Sequence, residues 1–319
     1  MTPPTLIAHA DWSLRPEKRW VCVAESSRDG PLAISPPEPV GPTDWFLDRL
    51  LARARVTAGG SRLLLGIDAP IGLPTAYAKR AGIQSFVSVL PQLGHDEWSD
   101  FYRVSERAED VSLRRPFYPM RPGGAKQRHL LDGLGVTEMT CLLREAERPT
   151  DHRGAAAPLF WTMGARQVGK AAITAWREVL TPALRASDRD VALWPFDGTL
   201  HELVSNHRIT IAEVYPAEAC VQLGLGAPGS GWSKRSRNDR QRHAHALEAW
   251  ARSRGVTLTP ELVGLIRAGF GDHPDGEDRF DAIVGLMSMI DVVQGHRAEG
   301  VPDRADIRDV EGWILGRAP

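Results

Sequence analysis

The chain contains few cysteines. Cys22, Cys141 and Cys220 are the only three among 319 residues, and they are far apart in sequence. An odd number of cysteines without a Cys-x-x-Cys pair argues against a disulfide framework and against a structural zinc site. A reducing compartment fits this usage best, so we expect a cytoplasmic protein.

The chain also lacks an excess of charge and any long apolar run. Its 39 lysines and arginines nearly balance its 40 aspartates and glutamates, which leaves a net charge of −1. Binding to a nucleic acid would therefore depend on local basic patches. No apolar run approaches the roughly 20 residues that cross a bilayer, and Met1-Thr2-Pro3-Pro4 does not begin a secretory signal. We therefore expect no membrane contact.

What the chain does contain is a series of apolar runs typical of an α/β protein. Thr5–Ser13, Arg19–Ser27 and Pro31–Pro37 are predicted strands of an antiparallel meander, with a turn at Arg28-Asp29-Gly30. The later predicted elements are a helix from Pro42-Thr43-Asp44 to Gly59-Gly60, a buried strand at Leu63–Asp68, a helix at Ala171–Arg185, strands at Val191–Phe196 and Ile209–Tyr215, and helices at about Lys234–Arg254, Pro260–Phe270 and Glu277–Val293.

The order of these elements predicts one domain over residues 1–319. Because helical crossovers normally join parallel strands, we expect a mixed β-sheet flanked by helices. Residues 75–190 are predicted to be a large insertion of helices and loops between core strands. Residues 191–319 are predicted to complete the core and to supply the last, acidic helix.

Five acidic residues stand where this architecture would bring them together. Asp11, Asp68 and Glu213 each close an apolar run, and Asp278 and Asp281 lie at the start of an apolar helix. Sites in α/β sheets form beyond the carboxyl ends of parallel strands. Each acid alone is more simply a turn, solvated or helix-dipole residue, but together they predict a single site.

Crowded carboxylates require a cation, and Mg²⁺ prefers carboxylate oxygens. Two ions about 4 Å apart can activate water and stabilise the leaving oxygen in phosphodiester cleavage. We therefore predict a site for Mg²⁺ or Mn²⁺, with two ions. Its predicted catalytic residues are Asp11, Asp68, Glu213 and Asp281, and Asp278 is an additional metal ligand.

The segments that carry these acids resemble a known family. They are Ala10–Ser13, Gly66–Pro74, Ala212–Ala217 and Asp278–Ala282, accompanied by Leu159-Phe160-Trp161 and Gln167–Ile173. Together and in this order they resemble the predicted RNase H-like nucleases known as domain of unknown function family 429. The chain is more distantly similar to RuvC-type resolvases, which also carry an Asp-x-x-Asp-Ala helix. The resemblance implies an RNase H-like fold and metal-dependent cleavage of a nucleic acid.

Two basic regions are candidates for contact with such a substrate. Arg121 and Lys126 lie in a loop over residues 114–129 that mixes basic and aromatic residues, which suits backbone contact and base stacking. Lys234 and Arg237 begin a second basic run, and Lys170 stands near a helix start. A solvated surface with salt bridges is the alternative interpretation of these residues.

A second functional class stays open from the sequence. Residues Gly164–Lys170 match the first seven positions of a P-loop, but Ala171 stands where a hydroxyl should hold Mg²⁺. The alternative to a nuclease is therefore a non-nucleolytic protein that binds a nucleic acid or a nucleotide on the same fold. Fold alone does not decide between the two classes.

Overall fold

The computed structural model describes residues 4–26, 31–58, 62–149, 154–163, 168–186 and 190–319. The predicted turn at Arg28-Asp29-Gly30 and the predicted helix end at Gly59-Gly60 lie outside these residues. The strands are β1 (Leu6–Asp11), β2 (Trp20–Ser26), β3 (Leu32–Ile34), β4 (Glu38–Pro39), β5 (Leu63–Ile67), β6 (Val191–Leu193), β7 (Ile209–Glu213) and β8 (Thr257–Leu258). The helices are α1 (Phe46–Ala58), α2 (Thr75–Ala81), α3 (Phe86–Val89), α4 (Gln127–Leu134), α5 (Val168–Ala175), α6 (Thr181–Arg185), α7 (Leu200–Asn206), α8 (Pro216–Gln222), α9 (Arg237–Arg242), α10 (Ala244–Ser253), α11 (Pro260–Arg267) and α12 (Gly276–Val293).

The eight strands form one mixed sheet in the order β6-β7-β5-β1-β2-β3-β8, and β4 also pairs with β2. β1 is parallel to β5, and β5 is parallel to β7. β2 is antiparallel to β1, β3 and β4, so among the described strands it alone opposes the common direction. The predicted α/β class is confirmed, and β1 to β3 form the expected meander.

β1 lies at the centre of the fold because both of its faces are covered. All six of its residues are buried. Leu6, Ala8 and Ala10 join a core with α1 and with helices α2 to α6. Ile7 joins a second core, which contains α12 and α8. The sheet therefore lies between two helical layers, and residues 75–186 supply much of one of them.

α12 approaches β1 unusually closely because small residues face the strand. A Cβ atom on Gly285 would lie 2.2 Å from the ring of His9, so only glycine fits there. The His9 ring forms a hydrogen bond to the carbonyl of Ala282 at 3.1 Å, and burial lowers the pKa of His9 to about 4. A neutral His9 that donates through Nδ1 therefore fixes the position of α12 along β1.

Several details differ from the predicted elements, and two of them concern the segments around α9, α10 and β8. The helix expected over Lys234–Arg254 is two helices, α9 and α10, which meet at His243. α9 is capped by Ser236 and turns the Arg240 side chain into the protein interior, so the two helices bury different faces. The short strand β8 was not predicted, because two residues are too few to show a pattern; it pairs parallel with β3.

Candidate functional site

Three aspartates meet where β1, β5 and α12 converge. Asp11 is the last residue of β1, Asp68 directly follows β5, and Asp281 lies in the second turn of α12. The amide of Asp68 donates to the carbonyl of Ala10 at 3.0 Å, which holds the two strand ends side by side. The carboxyl groups of Asp11 and Asp68 are hydrogen-bonded to each other. With Asp278, these residues form what we call the aspartate cluster.

Burial and mutual repulsion raise the pKa values in the aspartate cluster. Burial is the largest cause at Asp11 and at Asp68, and the charge of Asp281 is the next. The pKa of Asp68 rises to about 8, and the pKa of Asp11 lies well above its usual range. Burial also raises the pKa of Asp281 to about 6, although Lys234 opposes this rise. Without a bound cation, Asp11 and Asp68 therefore bind protons more readily than ordinary aspartates do.

Lys234 supplies a positive charge to the cluster. Its ammonium group forms an ion pair with Asp281 Oδ2, and both side chains are largely buried. Burial lowers the pKa of Lys234, but the charge of Asp281 and the hydrogen bond to it, together with the charges of Cys220 and Asp68, outweigh burial and raise the pKa. The buried Arg240 donates to the Lys234 carbonyl at 2.5 Å and to two carbonyls of the 269–271 turn. Lys234, predicted to contact substrate, is thus directed at Asp281.

Two oxygen atoms of the aspartate cluster fit a bound cation. Asp281 Oδ1 and Asp278 Oδ2 are buried and have no hydrogen-bond partner in the described part of the chain. Burial also raises the pKa of Asp278. A buried acceptor without a donor is costly, and a divalent ion coordinated by carboxylates would satisfy both atoms.

The acids are nevertheless not in a coordinating arrangement. Across the described ranges, no group of three or more His, Cys, Asp or Glu side chains is placed so as to hold a metal ion. Instead, the Lys234 ammonium compensates Asp281, and Asp11 is hydrogen-bonded to Asp68. Metal binding would therefore require side chains of the cluster to move.

Glu213 is bound by other residues. It is the last residue of β7 and is nearly fully buried. Arg144 donates to its two carboxylate oxygens at 2.6 and 2.7 Å, and the amide of Ile71 donates to it at 2.7 Å. Its charge contributes to the raised pKa of Asp68. Because bidentate pairing with arginine occupies both oxygens, the protein itself already satisfies Glu213.

Arg144 organises a second buried cluster, which no motif in the sequence indicated. Besides Glu213, its guanidinium donates to Glu147 at 2.9 Å and to the carbonyl of Glu311 at 3.1 Å. The carboxylate of Glu311 accepts from two backbone amides, at 3.0 and 2.6 Å. We call Arg144, Glu147, Glu213 and Glu311 the Arg144 cluster. This cluster joins the loop that begins after Asp68 to the C-terminal segment.

Lys170 lies near the end of β1. It is on α5, one turn before Thr174. The hydroxyl of Thr174 accepts from Trp12 Nε1 at 3.0 Å, and Trp12 directly follows Asp11. Arg19 in turn stacks over the Trp12 ring at 4.3 Å. α5 thus contacts the chain one residue after Asp11.

The other predicted substrate-binding residues lie in different settings. Arg121 and Lys126 are exposed. Their loop is attached to the segment before α5, because Thr162 donates to the Pro119 carbonyl at 2.6 Å. Arg237 instead forms an ion pair with Asp272 at 2.6 Å and belongs to the packing of α9. The P-loop-like stretch lies mostly outside the described residues, which resume at 168.

Comparison of the chain with protein-family models, with curated proteins and with solved structures gave no match. Of the helices that the structure describes, none is long and apolar enough to cross a membrane.

Proposed function

We propose that the protein is a divalent-metal-dependent phosphodiesterase of RNase H-like fold that cleaves a nucleic acid. The observation that carries this proposal is the aspartate cluster. Carboxyls at the ends of β1 and β5 and on α12 lie together with raised pKa values, and two oxygens of the cluster lack a donor among the described residues. A protein gains no stability from such crowding, whereas a cation site needs it.

The arrangement of the sheet supports the RNase H-like part of the proposal. A three-stranded meander precedes the parallel strands β5 and β7, and α12 packs on the central strand β1. The sequence resemblance implies an RNase H-like fold, and this order of strands supports that proposal.

Asp11, Asp68 and Asp281 would hold the metal, with Asp278 as a further ligand. When bound, Mg²⁺ or Mn²⁺ supplies an activated water and stabilises the charge on the leaving oxygen. Lys234 keeps the Asp281 carboxylate ionised through their ion pair. Lys170, Arg121 and Lys126 carry the positive charge that would attract a phosphate backbone.

The test is a cleavage assay with purified protein and labelled RNA, DNA and hybrid duplexes in Mn²⁺, Mg²⁺ or EDTA. We expect metal-dependent cleavage, and Asp11→Asn should reduce its rate by about 10³-fold or more, as expected when an essential charge-stabilising group is lost. Asp132→Asn is the matched control, because Asp132 is an exposed residue of α4 whose side chain is 68 % accessible. Undiminished cleavage by Asp11→Asn protein would refute the assignment.

The ion pair between Lys234 and Asp281 favours the second candidate, a non-nucleolytic nucleic-acid- or nucleotide-binding protein. A lysine in the cluster already offsets part of its charge without any metal. Titration calorimetry with Mn²⁺ separates the two candidates. The nuclease requires Mn²⁺ binding that Asp281→Asn weakens, whereas the alternative predicts nucleic-acid or nucleotide binding in EDTA and no cleavage in any metal.

A further inference from the structure

A basic concavity lies on the α6 side of the molecule, apart from the aspartate cluster. Its volume is about 760 Å³, and its walls are the segment 93–103 and residues 177–185 at the end of a long helical run. Concavities of this size typically accept small organic ligands rather than proteins.

Three arginines, Arg103, Arg177 and Arg185, line this pocket, and none of its lining residues, all of which are described, is acidic. Their contacts with acids nearby are long. Arg103 lies 3.6 Å from Asp100, and Arg177 lies 4.0 Å from Glu178. Exposed pairs at such distances contribute little, so Arg103 and Arg177 are available to an anion. Arg185 donates one N–H to the carbonyl of Pro91 and keeps its other N–H groups for an anion.

The rest of the lining mixes apolar and polar groups. Leu93, Tyr102 and Pro182 contribute apolar surface, and His95, Ser99 and Thr181 contribute polar groups. Guanidinium groups bind phosphate through two parallel hydrogen bonds, and flat apolar surfaces suit a heterocyclic base. This combination differs from the aspartate cluster, which is acidic.

The pocket is also separate from the aspartate cluster in space. Both contact the helical run from Val168 to Arg185, in which Trp176–Leu180 forms a π-helical turn between α5 and α6. Thr174 contacts Trp12 beside the cluster. At about 1.5 Å per residue, Arg185 lies roughly 16 Å further along this run.

We propose that the pocket binds a nucleoside phosphate, with its phosphates on the three arginines and its base against Tyr102 and Pro182. The same chemistry is offered by a free nucleotide and by the 5′-phosphorylated end of a strand. The proposal does not depend on the proposed nuclease activity.

Titration calorimetry in EDTA tests the proposal with adenosine diphosphate, adenosine and a 5′-phosphorylated trinucleotide as probes. We expect the full-length protein to bind the diphosphate at least about tenfold more tightly than adenosine, since each hydrogen bond to a charged group contributes strongly. The double variant Arg177→Gln/Arg185→Gln should bind at least about tenfold more weakly. Its fold should be retained, because both arginines are exposed.

Arg252→Gln is the matched control, since Arg252 is a 63 % accessible arginine of α10 outside the pocket. Asp11→Asn protein should bind the diphosphate as the wild type does. Tighter binding of the diphosphate identifies a free nucleotide as the ligand, and tighter binding of the trinucleotide identifies a strand end; both support the pocket. Three results would overturn the proposal. The first is that neither the diphosphate nor the trinucleotide binds at about 1 mM, which is on the order of the weakest useful affinity. The others are unchanged binding by the double variant and loss of binding by Asp11→Asn protein.

Discussion

The aspartate cluster and the Arg144 cluster both bury acids at the ends of parallel strands, yet their hydrogen bonding differs. In the Arg144 cluster, every carboxylate oxygen of Glu147, Glu213 and Glu311 accepts at least one hydrogen bond. In the aspartate cluster, Asp281 Oδ1 and Asp278 Oδ2 accept none from the described residues.

This difference separates a structural use of buried acids from a functional one. A fully bonded carboxylate has its charge compensated within the fold and needs no ligand. Carboxyls that lack donors or whose pKa values are raised by burial are kept at a cost in stability, which is the pattern found at binding sites. Burial alone does not distinguish the clusters, since burial also raises the pKa of Glu147 against the effect of Arg144.

Removal of the arginine should break the Arg144 cluster and produce the largest loss of stability. Arg144→Met leaves the Glu147 and Glu213 charges buried without their partner, so we expect the free energy of unfolding to fall by about 3–5 kcal/mol. Chemical denaturation measures this change. Arg128→Met, at an exposed position, is the control. Asp11→Asn should leave the free energy of unfolding unchanged or increase it, because it relieves repulsion among the aspartates. A loss below about 1 kcal/mol for Arg144→Met would contradict a fully bonded, structural cluster.

A milder change decides to which cluster Glu213 belongs. Glu213→Gln weakens the pairing with Arg144 but keeps an acceptor for the Ile71 amide, so we expect a loss of about 1–3 kcal/mol. The Kd for Mn²⁺, measured by calorimetry, should change less than about threefold, because Arg144 already pairs with both oxygens of Glu213 and compensates its charge. Abolished Mn²⁺ binding with unchanged stability would make Glu213 a metal ligand, as the sequence pattern predicts.

The pH dependence of stability should show the smallest effect. The pKa of Asp68 is about 8 in the folded protein, well above its usual value of 3.8. Between these values the folded state binds more protons than the unfolded chain, so stability is lost as the pH rises through 8. In EDTA, we expect the Tm to fall by a few degrees between pH 7 and pH 9. This pH range lies above the range in which His9 titrates, so His9 does not contribute to the change.

Asp68→Asn should flatten this dependence, and Asp132→Asn should not. Differential scanning calorimetry of the three proteins makes the comparison. If Asp68→Asn and wild-type protein lose the same Tm over this range, Asp68 is not the group that takes up the proton.

Many of the strands and helices of the fold could be predicted from local sequence patterns. The apolar runs that became β1, β5 and β7 each ended at the expected acid, because a strand buried on both faces must be apolar throughout. The long apolar helix α12 was predicted for the same reason. The break at His243 and the pairing of β8 were not, since both depend on neighbours distant in sequence.

The partners of the buried acids were beyond local patterns. Arg144 and Glu213 are 69 residues apart, and Lys234 and Asp281 are 47 apart. Arg144 stands in a segment without clear periodicity, so nothing local marks it as buried. Lys234 looked like one of several surface cations, and only its place beside α12 directs it at an aspartate.

The sequence by itself determined which residues form strands and helices, and it placed acids at the strand ends, because hydrophobic periodicity acts over a few residues. The tertiary structure alone decided how those acids are used. Whether a buried carboxylate receives donors, a lysine or neither depends on which distant segments pack around it, and the cost of an unsatisfied charge is set by that packing. Glu213 and Asp281 are both buried acids at the same edge region of the sheet, yet one is bound by an arginine and the other keeps an oxygen without a donor in the described chain.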